Sequence, residues 1–178
     1  MYAKDLEFIH NKLFAMDENG QKSSQIDEDC DLNIGELSHP TTTVNLMGEY
    51  EIADSTRLNN FQATVTLSNG LSVWNLHNVA KDSNGIVRLL VQGIQQRVVN
   101  GLLKRVRTET RLVGNVASMG GLNYALQQSG SSAVTVNVLS LQTTYKDNDD
   151  NVYTLHDIDR TTNKLVVCGK DLREDITE

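Results

Sequence analysis

The side chains in this sequence that are most able to do chemistry are four histidines and two cysteines. Nucleophilic catalysis and zinc binding need such groups in clusters with a positioned base or further ligands. No histidine stands within a helical turn of both a carboxylate and another histidine, and the cysteines form no CxxC pair. The chain also lacks GxSxG, HExxH, Walker and GxGxxG motifs. We therefore predict no enzyme activity, no catalytic residue, no metal and no cofactor, with free thiols at Cys30 and Cys168 and ordinary roles for His10, His39, His77 and His156.

One acidic cluster has the spacing that opens a calcium-binding loop. Asp147, Asp149 and Asn151 stand at alternate positions, as the first ligands of such a loop do. The sixth position, which needs glycine, is Val152, and the twelfth, which needs a bidentate carboxylate, is Ile158. The cluster is therefore interpreted as a hairpin turn.

Charge is unevenly distributed along the chain. The net charge is −7, but residues 55–146 hold nine basic and only two acidic residues, a local charge of +7, which leaves −14 on the two flanks. Charge runs are usually solvated faces. A basic band and acidic ends could equally be complementary surfaces between like subunits.

The basic residues of one segment suggest an alternative function. Arg97, Lys104, Arg105, Arg107 and Arg111 could contact phosphates. The same segment has no aromatic side chain on which bases could stack, and the whole protein is acidic. Nucleic-acid binding by a basic β-hairpin is therefore kept as the alternative hypothesis, beside a small ligand-binding β-barrel.

The elements that must position these residues are mostly strands. Residues 61–67 alternate apolar and polar side chains, which is typical of a half-buried strand. Residues 71–80 fit a short helix capped by Ser72. Residues 86–117 contain two long β-branched and leucine-rich runs joined by Asn100-Gly101, the strongest short-range hairpin signal. Further strands are predicted at 133–145, with a bulge at 138–139, and at 152–158 and 165–168.

The N-terminal third gives weaker signals. Residues 6–14 fit a helix, while residues 12–16 fit a strand that enters a turn at 17–20, and both interpretations remain open. Residues 31–54 are predicted to form a long loop, which in a compact domain is usually functional or shaped by a partner. We predict one domain over 1–178, all-β with one short helix, built as a β-sandwich or partial barrel.

The length of the hairpin indicates self-association. Its arms would reach roughly 40 Å at about 3.3 Å per residue, and an isolated two-stranded ribbon is marginal in water. With 5% aromatic residues and the single proline Pro40, the chain also has few large anchors for a compact monomer. The ribbons are expected to complete their hydrogen bonding with copies of the same chain.

In order, these segments resemble the major tail tube proteins of contractile-tailed bacteriophages, the family that also supplies the tubes of R-type pyocins. The resemblance runs from about residue 13 to near the C-terminus and is one of pattern. It includes the segment 45–52 (NLMGEYEI), the run 87–93 (VRLLVQG), the strand 134–145 (VTVNVLSLQTTY) and the later strands at 152–159 and 165–172.

The resemblance implies a structural virion protein that forms stacked homohexameric rings. In each ring the long hairpins would join an intersubunit β-barrel around a lumen through which genomic DNA passes without sequence-specific binding. The implied partners are the chain itself, the sheath protein, and the baseplate and tail terminator proteins, with no membrane. No stretch of about 18 apolar residues occurs, so the chain is expected to be made and assembled in the host cytoplasm and to reside in the virion tail.

The same resemblance implies which residues lie between subunits. Thr108 and Thr110 are expected to face the lumen, while the arginine face points outward or into subunit contacts. The predicted interface residues are Asn45, Met47, Gly48, Tyr50, Ile52, Arg57, Arg105, Arg107 and Arg111.

Overall fold

The computed structural model describes residues 7–45, 48–99, 101–121 and 130–172, with the backbone alone at 7–9, 49–50 and 97–99. Within these ranges the chain forms twelve β-strands, one α-helix and a π-helical turn that continues the helix. The strands are β1 (Glu7–Met16), β2 (Lys22–Asp27), β3 (Asp31–Ile34), β4 (Thr41–Asn45), β5 (Glu49–Ala53), β6 (Gln62–Leu67), β7 (Ile86–Val99), β8 (Leu102–Met119), β9 (Ser132–Lys146), β10 (Val152–Asp159), β11 (Lys164–Val167) and β12 (Lys170–Asp171). The helix α1 spans Gly70–Asn75, and the π-helical turn spans Leu76–Ala80.

Ten of these strands form one antiparallel sheet. Its main path runs β12-β11-β10-β9-β8-β7-β1-β2, and β6 with β3 branches from β9. One edge of β9 pairs with β8, while its other edge pairs first with β6 and then with β10. On the far side of the molecule the Cys30 amide donates to the Asn11 carbonyl at 3.1 Å. The β3–β6 layer is therefore tied to the main sheet through β9 and, at the residue before β3, through β1, as in a β-sandwich or partial barrel.

The core lies between the β3–β6 layer and the inner side of the main sheet. Leu13, Val65, Leu89, Leu112 and Val136, each from a different strand, are completely buried in it. Apolar side chains alternate along each strand because successive residues point to opposite faces. The π-helical turn closes one end of the core with the buried side chains of Leu76 and Ala80.

The predicted all-β class and the long hairpin are confirmed. Strands β7 and β8 pair continuously from Ile86↔Asn115 to Val99↔Leu102, and Gly101 in the turn has φ +76°. Such a positive φ is what an Asn-Gly hairpin turn requires. Residues 12–16 adopt the strand alternative, as part of β1, which begins at Glu7.

Two other local predictions are confirmed and one is wrong. The bulge in β9 is present, because Val113 pairs with Ser140 while Gly114 pairs with Val138. The helix is also present, but Ser72 does not cap it: the Asn69 side chain accepts from the Ser72 amide at 2.9 Å. Ser72 is instead buried in the first turn.

The predicted loop over 31–54 is wrong for most of its length. It contains β3, which pairs with β6, and then the two-stranded sheet of β4 and β5. The partner of β3 lies about thirty residues away along the chain, so no local signal marks it. Strand β4 contains three threonines and β5 none, and the two strands pair only with each other among the described strands.

Candidate assembly surfaces and the basic face

The hairpin is longer than the sheet that supports it. Strand β1 pairs with β7 no further than Gln96, and β9 pairs with β8 only from Arg107 onward. Residues 97–99 and 102–106 therefore pair only with each other among the described strands. At about 3.3 Å per residue, this tip extends roughly 10 to 17 Å beyond the described residues of its neighbours.

The greater part of the hairpin nevertheless completes its hydrogen bonding inside one chain. Residues 89–96 of β7 pair with β1, and residues 107–119 of β8 pair with β9. The expectation that the whole ribbon needs copies of itself is wrong, because β1 was not recognised as its neighbour. What remains for a partner is the tip, whose Leu102 and Leu103 are 68% and 52% exposed.

The two predicted lumen residues do not lie on an open surface of the chain. Thr108 and Thr110 are only 8% and 7% exposed, and they point toward the core. The Thr110 hydroxyl lies 3.4 Å from that of Thr143 on β9. The prediction that they face a lumen is therefore contradicted. Alternation along β8 separated the two faces correctly, and the arginine face is exposed, but the threonine face is turned toward the core instead of an open surface.

The arginines of β8 occupy the opposite face of the sheet. Arg105, Arg107 and Arg111 are exposed there, and Arg111 Nη2 pairs with Glu109 Oε1 at 2.8 Å. Arg107 and Arg111 sit in the middle of the sheet, because β7 flanks β8 on one side and β9 on the other, whereas Arg105 lies in the tip, where only β7 pairs with β8 among the described strands. We call this side of the main sheet, which faces away from the core, the basic face.

The registers align residues of four strands in rows across the basic face, and three of these strands contribute basic side chains. His10 of β1, Ile94 of β7, Arg107 of β8 and Lys146 of β9 form one cross-strand row. The next row on the same face contains Lys12, Gln92, Glu109 and Thr144. Together the two rows line a concavity of about 500 Å³.

The hairpin of β4 and β5 projects separately and carries most of the other predicted interface residues. Asn45 pairs with Glu49, Gly48 has φ +140°, and Ile52 is 49% exposed. The Tyr50 backbone pairs with Val44. Met47 lies outside the described residues.

Arg57 lies in the link between this hairpin and β6. Its amide donates to the Asp54 carbonyl at 3.2 Å, and its carbonyl accepts from His39 Nδ1 at 2.5 Å. Asp54 in turn accepts from both the amide and the hydroxyl of Thr56, at 3.0 and 2.5 Å, and these bonds lower the pKa of its carboxyl. None of these described contacts of Arg57 involves the arginines of β8.

The residues considered for chemistry lie apart in the fold. Cys30 is buried, and desolvation followed by the charges of Asp27 and Asp31 raises the pKa of its thiol to about 12. Cys168 is exposed. Among the described residues, no group of three or more histidine, cysteine, aspartate or glutamate side chains could hold a metal ion.

The calcium-like cluster is a hairpin turn, as the sequence indicated. The Asp147 carboxylate accepts from the amides of Asp149 and Asn151 at 2.9 and 3.0 Å and from the Asn151 side chain at 3.1 Å. Chiefly the bond from the Asn151 side chain lowers the pKa of Asp147. Both carboxylate oxygens of Asp147 therefore accept hydrogen bonds from residues of the same turn.

A small internal cavity separates β3 from the inner face of the main sheet. It has a volume of about 250 Å³ and is lined in part by Asn11, Thr110, Thr143 and His156. Asn11 Oδ1 and His156 Nδ1 are buried without a described hydrogen-bond partner, and burial lowers the pKa of His156. The volume is below the 300–1,000 Å³ typical of small-molecule pockets. Its polar lining suits buried water, which commonly satisfies such groups.

The structure reveals one polar anchor that the sequence did not indicate. Asp27 is 4% exposed and accepts from the Ser68 amide and hydroxyl, both at 2.6 Å, and from the Asp29 amide at 3.1 Å. Burial alone would raise the pKa of Asp27, but these hydrogen bonds outweigh it and lower the pKa. The anchor joins β2 to the segment before α1. Since the two partners are 41 residues apart, no local motif marks it.

No protein-family model and no curated protein matches this chain. No described helix is long and apolar enough to cross a membrane.

Proposed function

We propose that this chain is a self-assembling structural subunit rather than an enzyme, and specifically the major tail tube subunit of a contractile phage tail or tailocin. The observation that carries the proposal is the hairpin tip, which exposes Leu102 and Leu103 on a ribbon with no neighbouring strand among those described. Exposed strand edges with apolar side chains pair readily with other chains. In the proposed homohexameric ring, the tip completes its pairing on the next subunit and the long strands join an intersubunit β-barrel.

The β4–β5 hairpin supplies the second proposed contact. An isolated two-stranded hairpin is marginally stable in water and gains stability by packing against another surface. This hairpin exposes Ile52 and has no strand partner outside itself in the described chain. We assign it to the neighbouring subunit or to the next ring in the stack.

Burial of Thr108 and Thr110 leaves the basic face as the side of the main sheet that is available to line a conduit. The inner side is filled by the core, so a barrel made by continuing this sheet would turn the basic face toward its lumen. Arg105, Arg107 and Arg111 accordingly become residues of the bore in the proposal. Genomic DNA, the sheath, the baseplate and the tail terminator remain the proposed partners, in a virion tail assembled in the host cytoplasm.

The test compares assembly of the wild-type chain with that of a tip variant, Leu102→Ser/Leu103→Ser. Burial of a leucine side chain contributes about 1.5 to 3 kcal/mol. Loss of two such contacts should therefore raise the concentration needed for assembly by at least about 100-fold. Light scattering and negative-stain microscopy over a concentration series would measure ring-sized species and tubes.

The matched control is Leu71→Ser/Val152→Ser, which removes apolar side chains that are 69% and 63% exposed elsewhere on the surface. It should assemble like the wild type. The proposal fails if the wild type stays a single chain at the highest concentration reached, or if the tip variant assembles as readily as the control.

A further inference from the structure

The two rows of the basic face bring positive side chains from three strands around one concavity. The basic groups are His10 and Lys12 on β1, Arg107 on β8 and Lys146 on β9. Neighbouring strands lie about 4.8 Å apart, and same-face residues along a strand are about 6.7 Å apart. A ligand in the concavity can therefore contact several of these groups at once.

The positive charge of the concavity is only partly compensated. Glu109, the acidic residue in these rows, already pairs with Arg111 at 2.8 Å. Lys146 pairs with Asp150, and His10 with Asp29, but both carboxylates are largely solvent-exposed, so these pairs are weak. Lys12 and Arg107 form no ion pair with any side chain that the structure describes. A net positive concavity remains for an anionic ligand.

The backbone around the concavity restricts what that ligand can be. In this floor β7, β8 and β9 are hydrogen-bonded to a neighbouring strand on both sides, so these three strands offer no free amide or carbonyl. A peptide docked there would leave its own backbone groups without partners. A chain of phosphates needs only cationic donors, and a guanidinium group binds phosphate in a forked geometry.

We infer that this concavity binds the phosphate backbone of a nucleic acid, without reading its sequence. The site is complete in one chain, so the inference does not depend on ring formation. Lys12, Arg107 and Lys146 are the contacts, and base edges have no assigned partner. With three phosphate contacts, log K should fall with log salt with a slope of about −2 for single strands and about −3 for duplex DNA.

The experiment measures fluorescence anisotropy of labelled duplex and single-stranded DNA with the full chain, at a concentration where light scattering shows single chains. The variant that removes two of the proposed phosphate contacts, called the cradle variant, is Lys12→Gln/Arg107→Gln. Its matched control, Lys164→Gln/Lys170→Gln, has the same net charge and changes exposed residues outside the concavity. Circular dichroism would confirm that both variants are folded.

We expect wild-type affinity to fall about 20- to 40-fold between about 50 and about 200 mM salt. The cradle variant should lose about two units of the log–log slope and change only about threefold over that range, while the control behaves like the wild type. Inorganic polyphosphate should compete with DNA, whereas polyglutamate at equal charge should not.

Three results would overturn the inference. The first is absence of DNA binding by the wild type, and the second is an equal loss of DNA affinity in the cradle variant and the control. The third is displacement of DNA by polyglutamate as effective as by polyphosphate, which would indicate an acidic protein ligand. Binding of polyphosphate without DNA would also overturn it. The Leu102→Ser/Leu103→Ser chain separates this site from assembly, because it should bind DNA like the wild type even if tubes never form.

Discussion

Replacing Asp27 with alanine should destabilise the fold by about 3 kcal/mol at neutral pH. The carboxylate is buried and accepts three hydrogen bonds, two of them from Ser68 at 2.6 Å. Each hydrogen bond to a charged group contributes about 1.5 to 3 kcal/mol, against which the cost of burying the charge must be set. For a chain of this size, a loss of about 3 kcal/mol corresponds to a melting temperature lower by about 6 to 12 °C.

The effect should also depend on pH, with a sign fixed by the direction of the pKa shift. The pKa of Asp27 in the folded chain lies below its ordinary value of 3.8. The anchor is therefore fully effective above the unfolded pKa, near pH 4, and is lost as pH falls through the lowered folded pKa. The stability difference between wild type and Asp27→Ala should shrink over that acidic range.

The assay is urea unfolding followed by circular dichroism at several pH values. Asp29→Ala is the matched control, because its side chain is 77% exposed and pairs only weakly with His10, while its backbone amide still donates to Asp27. It should change stability by less than about 1 kcal/mol. Equal effects of the two substitutions at neutral pH, or a difference that stays constant into the acidic range, would refute this account of the anchor.

Two further outcomes follow from close packing. Gly114→Ala should lower the free energy of unfolding by about 1 to 3 kcal/mol, because an added Cβ would lie 2.1 Å from the Asn137 carbonyl oxygen. Gly121→Ala, whose added Cβ meets no atom within 4 Å, should be nearly neutral, and equal melting temperatures of the two variants would contradict this. A thiol reagent should label Cys168 rapidly and spare Cys30, whose burial raises its pKa to about 12, until the chain is unfolded. Rapid labelling that persists in a Cys168→Ser chain would contradict the latter.

The sequence predicted those elements whose signals are local. The Asn100-Gly101 turn fixes its own hairpin through the backbone conformation it requires, and residues 61–67 alternate because one side faces the core. The bulge at Leu139 was visible because the apolar positions change sides there. Each of these features is determined by residues within a few positions of one another.

Features that depend on distant partners were not predictable in the same way. Strand β3 is held by β6, and the Asp27 anchor depends on Ser68. The burial of the threonine face of the hairpin was also missed, since threonine at 108 and 110 suits either a polar surface or a buried strand. The buried Thr110 hydroxyl has the Thr143 hydroxyl beside it as a polar partner. Only the register between β8 and β9 reveals that pairing.

Strand β9 bonds to three strands, holding β8 along one edge and both β6 and β10 along the other. The β3–β6 layer and the β10–β12 segment therefore have separate attachments to a common spine. Neither of them bonds to β9 through the other. Amide protons in β9 should consequently exchange with solvent only on global unfolding, after those of the peripheral strands.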